Sequence, residues 1–120
     1  MAAGERLICA AAELPERGRG VRFEVELGGE RAPAFAVRID GRVYAYVNRC
    51  AHTPMELDWR AGEFFDADRS HLICSTHGAT YAAATGACLG GPCDGAPLRR
   101  LAVEERDGAV YYLGPGDGRP

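Results

Sequence analysis

The chain has 120 residues, 47% of them hydrophobic, and a net charge of −3. It is long enough for one packed domain and too apolar for a disordered tail. Its positive charges, all arginine, are interspersed with acids, which excludes the basic footprint of a nucleic-acid binder and the polybasic run of a membrane-surface protein.

The N-terminal stretch "MAAGERLICAAAEL" is apolar only in patches, lacks a basic leader region and is interrupted by Glu5. No apolar run approaches the roughly 18–20 residues of a membrane-spanning helix. The expected location is therefore cytoplasmic. "VRFEVEL" (21–27) alternates, with Val21, Phe23, Val25 and Leu27 on one face, and predicts a half-buried strand. Gly28-Gly29 predicts a turn. "AFAVRID" then places Phe35, Val37 and Ile39 on one side, and Asp40-Gly41 predicts a hairpin into "RVYAYVN" (42–48). Residues 53–71 read as a long loop with one helical turn near "GEFFDADRS". "HLIC" (71–74) predicts a short strand. Residues 78–93 predict a tight hairpin followed by a Gly-Pro loop, and a last hairpin turns at Asp107-Gly108. The tail "GPGDGRP" is expected to fray. Sixteen glycines and seven prolines suit such short strands. The fold class expected is all-β, a small antiparallel sandwich or barrel, with residues 1–120 as a single domain whose core runs from about 6 to 114.

Five cysteines, an odd number in a chain expected in a reducing compartment, argue for metal binding or buried thiols over a disulfide framework. Cys50-Ala-His52 and Cys74-Ser-Thr-His77 each set one thiol and one imidazole on a short turn after a predicted strand. Two such turns brought together would satisfy tetrahedral zinc. They would equally satisfy a [2Fe–2S] cluster with thiolates on one iron and imidazoles on the other. Zinc fingers usually pair like with like, whereas each knuckle here is mixed, which favours the two-iron cluster.

Cys50-x-His52, Cys74-x-x-His77-Gly78 and "LGGP" (89–92) together resemble the Rieske iron–sulfur proteins, specifically the small ferredoxin type. The resemblance covers roughly residues 6–114. It implies a two-loop cluster-binding subdomain, with Cys50 and Cys74 on one iron and His52 and His77 on the other. Gly78, Ala79, Tyr81, Gly91 and Pro92 would surround them. Neutral imidazoles in place of thiolates put the class at about −150 to +300 mV. The quinol-oxidising members carry an extra cysteine in each loop and a serine two residues after the second histidine. Neither loop here has that cysteine, and Ala79 stands at the serine position, so a lower potential is implied, raised somewhat by Tyr81. The resemblance further implies a soluble one-electron carrier, not an enzyme, working between a flavin or NAD(P)H-linked reductase and a terminal oxygenase. A small subunit of a larger oxidoreductase such as a nitrite reductase, a redox sensor, and a zinc-bound interaction module are the alternatives.

Four features fall outside the motif. His71 reads as a surface histidine and Cys9 as a buried small hydrophobe. Cys88 and Cys93 flank the Gly-Pro loop and read as ordinary partly buried thiols, with a disulfide bracing the loop as the alternative. The spacer of 21 residues between His52 and Cys74 is longer than the family's usual one. Its Trp59, Phe64 and Phe65 are expected to pack under the loop. The alternative is an apolar docking patch ringed by Glu56, Asp58, Glu63, Asp66 and Asp68.

Overall fold

The turns at Gly28-Gly29, Asp40-Gly41 and Asp107-Gly108 all form, each with both residues at positive φ. That is the two-residue hairpin whose twist matches the strands it joins, with Asp or Gly tolerated first and Gly second. The computed structural model describes residues 6–49, 57–58, 62–74, 78–90 and 97–115. Its strands in chain order are β1 (Arg6–Ala10), β2 (Val21–Leu27), β3 (Glu30–Ile39), β4 (Arg42–Val47), β5 (His71–Ile73), β6 (Thr80–Ala82), β7 (Cys88–Gly90), β8 (Arg100–Arg106) and β9 (Ala109–Pro115). A single 3₁₀ turn, Ala11–Glu13, follows β1. No helix among the described residues is long and apolar enough to cross a membrane.

Six strands form one antiparallel sheet in the order β1-β9-β8-β4-β3-β2, and β5-β6-β7 form a second. The two edges of the larger sheet curl toward each other. The Arg6 guanidinium on β1 donates to the Glu24 carbonyl on β2. The Phe23 ring of β2 lies 5.9 Å from Tyr112 of β9. The result is a near-barrel, as the turn-rich sequence implies.

The sequence reading missed β1, because a bulge between Leu7 and Cys9 breaks its alternation. It also treated β3 as buried on one face, whereas both are buried. Phe35, Val37 and Ile39 point into one core, and Ala32, Ala34 and Ala36 into another. The second core fills the near-barrel with Cys9, Val25, Ala45, Leu101, Val110 and Tyr112. Alanine is a weak marker of burial, so this inner face left little signal. Cys9 is buried there as a free thiol, as expected, and burial pushes its pKa up.

The first core binds the smaller sheet to the outside of β3 and β4. Phe64 stacks on Phe35 with ring centroids 3.9 Å apart. The Tyr46 hydroxyl of β4 donates to the Ala83 carbonyl at 2.7 Å, and burial raises its pKa. Leu98 N–H donates to the Gly86 carbonyl at 2.8 Å. Gly86 has φ +81, and a Cβ there would stand 2.8 Å from the Tyr46 ring. Only glycine suits that backbone and that approach.

Candidate metal centre

β4 delivers the first Cys/His stretch and β5 the second. The chain leaves β4 at Asn48, and Cys50 and His52 lie outside the described residues. β5 ends one residue before Cys74, which is fully buried. Beyond it the backbone folds back at once: Gly78 N–H donates to the Cys74 carbonyl at 2.7 Å, and Cys74 N–H donates to the Ala79 carbonyl at 2.8 Å. Gly78 closes this reversal with φ +78, a left-handed backbone that favours glycine. His77 lies outside the described residues.

Ala79 and Tyr81 are both fully buried and share the first core with Cys74, Leu72 and Leu57. Leu57 is where the described chain resumes after the first Cys/His stretch. The start of the second stretch and the return of the first are therefore packed in one volume. β7 runs up to the Gly-Pro loop, whose Gly91, Pro92 and Cys93 lie outside the described residues. Among the described residues no three His, Cys, Asp or Glu side chains form a metal site; three of the four expected ligands are not among them.

Cys88 differs from expectation. It is half-buried and disulfide-bonded, with its partner outside the described residues, and is not the ordinary thiol anticipated. A bond formed at this position links the strand that precedes the Gly-Pro loop to another point of the chain.

The long spacer is a packed element in its described parts. Phe64 is fully buried. Phe65 is half-buried and bridges to Leu72 of β5. Trp59 lies outside the described residues. The helical turn expected near 62–70 does not form. Instead the Asp66 carboxylate accepts the Ser70 and His71 N–H groups at 3.0 and 3.3 Å, which holds a tight turn. Burial pushes the Asp66 carboxyl up, but these N–H bonds and the His71 side chain outweigh it and hold the carboxyl below its usual range. His71, half-exposed, keeps its Nδ1 3.5 Å from Asp66, a surface role as anticipated.

Asp58 is the larger correction. The docking alternative placed it in an exposed acidic ring, yet only 6% of it is accessible. Its carboxylate meets Asn48, itself fully buried, at 3.0 Å. Neither residue is marked as buried by the sequence pattern around it. The available signal was an amide two positions before Cys50 and an acid just after Leu57.

The family model of the Rieske [2Fe-2S] domain matches residues 5–105, and the chain belongs to that family, whose cofactor is one Rieske-type [2Fe–2S] cluster. Among solved structures it is similar to a chain in the complex of reduced oxygenase and oxidized ferredoxin in carbazole 1,9a-dioxygenase. That match has a TM-score of 0.72 at 24% identity and covers 94% of this chain and 96% of that one. It is also similar to the ferredoxin of carbazole 1,9a-dioxygenase from Nocardioides aromaticivorans, with a TM-score of 0.70 at 23% identity, covering 93% and 99%. A Sphingomonas yanoikuyae ferredoxin gives 0.68 at 25% identity, covering 90% and 96%. None of the curated proteins compared matches the chain. These likenesses establish the fold.

The residues present suit the cluster. A water-excluded cysteine, Cys74, stands just past a strand end, immediately before a glycine-closed reversal. Such a thiol is a good metal ligand once deprotonated and a poor surface nucleophile.

Proposed function

We propose that the chain is a one-electron carrier whose cluster is held by Cys50 and Cys74 on one iron and by His52 and His77 on the other. The observation that supports this best is the fully buried Cys74 at the head of its reversing loop, in a chain of this family. When bound, the cluster accepts and returns a single electron.

The protein's own residues then do three things. Cys74 supplies a thiolate from a site closed to water by Leu72, Ala79 and Tyr81, where partner charges act at low dielectric. Tyr81 places a phenol in the same buried cluster as that sulfur. A phenol donor to a ligand sulfur stabilises the reduced, more negative state. Ala79 offers no hydroxyl, so one such donor of the quinol-oxidising class is missing. The potential therefore lies below that class. His52 and His77 form the edge through which the electron passes.

The partners are a flavin or NAD(P)H-linked reductase on one side and a terminal oxygenase on the other. Similar solved structures in which a ferredoxin is in complex with the oxygenase of carbazole 1,9a-dioxygenase support that placement. The chain performs no bond chemistry of its own, acts as the single domain 1–120, and works in the cytoplasm.

The test is visible absorption, low-temperature EPR after dithionite, and iron and sulfide analysis of anaerobically purified protein. Two irons, two sulfides and a Rieske-type reduced spectrum are expected. A colourless protein holding one zinc after iron–sulfur reconstitution would overturn the carrier reading and leave the four ligands as a structural clasp.

A further inference from the structure

The first ligand-bearing stretch departs at Asn48, and the described chain resumes at Leu57. One buried side chain ties these two points together. The Asn48 carboxamide accepts from Leu57 N–H through Oδ1 at 2.9 Å. Through Nδ2 it donates to Asp58 Oδ1 at 3.0 Å. Asp58 Oδ2 accepts from Gly62 N–H at 2.9 Å and lies 3.5 Å from Arg22 Nε on β2. Asn48 N–H donates to the Pro33 carbonyl on β3 at 2.8 Å. Neither the Asn48 residue nor the Asp58 side chain has any accessible surface.

This polarity is specific. A carboxylate taken fully out of water is costly unless donors surround it, and Asp58 meets an amide, a backbone N–H and a guanidinium. The Asn48 amide has one allowed orientation, because its oxygen must face Leu57 N–H and its nitrogen must face Asp58. An apolar pair would fill the volume without fixing where the chain leaves and returns.

We propose that Asn48 and Asp58 are positioning residues that fix the cluster-ligating stretch carrying Cys50 and His52, by clasping its two ends to each other and to β2 and β3. The inference rests on Cys50 and His52 being ligands. Ends fixed before ligation leave less chain freedom to be lost when the cluster binds, so the cluster is held longer.

Three variants of the full-length, cluster-loaded protein test it. Asn48→Asp sets carboxylate oxygen against carboxylate oxygen. Asp58→Asn sets an amide nitrogen against Asn48 Nδ2 or Gly62 N–H. The double exchange Asn48→Asp/Asp58→Asn restores a donor for every acceptor. At position 48 both oxygens then accept, from Leu57 N–H and from the new amide, whose oxygen faces Gly62 and Arg22.

The measurements are the rate of cluster bleaching by an iron chelator and hydrogen–deuterium exchange of the peptide covering 49–56. Both are made where far-UV circular dichroism is native. Each single variant is expected to speed both by about tenfold, and the double to return both near wild type. Should a single variant fail to fold, a folded double with wild-type bleaching supports the clasp. Unchanged rates in the singles, or a double that bleaches as fast as a single or does not fold, overturns it. Wild-type protein without a cluster would overturn the ligand assignment instead, and the exchange rates over 49–56 would still decide the clasp.

Discussion

Phe64→Ala separates a packed spacer from a docking loop. Phe64 belongs to the long spacer, is fully buried and lies nearly parallel to Phe35, with an interplanar angle of 11°. It also fills the space left by Gly20, where a Cβ would come within 2.8 Å of its ring. Removing the phenyl loses its transfer free energy and leaves a cavity that Phe35 cannot close, together about 3–5 kcal/mol. For a domain of this size that is roughly 12–20 °C in Tm. The assay is urea denaturation read by far-UV circular dichroism, with a Phe35→Ala/Phe64→Ala cycle to isolate the stack, expected at about 0.5–1.5 kcal/mol. A total loss below about 1 kcal/mol, the range of an exposed side chain, would refute the packing argument and return Phe64 to the surface.

Gly86→Ala combines a left-handed backbone with a Cβ 2.8 Å from the Tyr46 ring and 3.2 Å from the Leu98 carbonyl. The expected loss is about 2 kcal/mol or more, measured by the same denaturation. Glu105 is held below the usual carboxylate range by its hydrogen bonds from Arg38, against the opposing effect of burial. The pair is therefore fully stabilising above the unfolded carboxylate value of about 4.3, and that contribution disappears as pH falls through the lowered native value. Glu105→Gln is expected to be less stable than wild type near neutrality and to converge with it in acid, by urea midpoints taken across that range. The gap is modest, since 34% of the Glu105 side chain is accessible. Tyr81→Phe is expected to lower the reduction potential in an EPR-monitored redox titration while leaving the fold intact; an unchanged potential removes Tyr81 from the tuning of the cluster.

Local chemistry made the hairpins legible. Asp40-Gly41 and Asp107-Gly108 state their turn type outright, and β2 alternates apolar and polar residues without a break. The strand that leads into Cys74 was also readable, as was the burial of Cys9. What escaped was set by distant partners. β1 owes its place to β9, across a bulge that spoils its pattern. The alanine face of β3 is buried because the sheet curls over it. Asp58 looks like any solvated acid among its neighbours in "MELDWR", and partners distant in sequence, Asn48 and Arg22, make it an interior group. The Cys/His spacing pointed to the Rieske family, but nothing local marked Asn48 and Asp58 as a buried pair. Cys88 was misjudged for a similar reason, since a disulfide depends on a second sulfur that spacing alone does not select.

β3 serves as a party wall. Phe35, Val37 and Ile39 face the smaller sheet while the alanines between them line the near-barrel. Were the smaller sheet cut away, three large apolar side chains would be left uncovered on one strand, an invitation to self-association. Transplanting the redox tip onto a foreign β scaffold would thus require carrying this landing strip with it. Because the two cores lie on opposite faces of β3, opening of either sheet uncovers one face of a strand that the other sheet still uses.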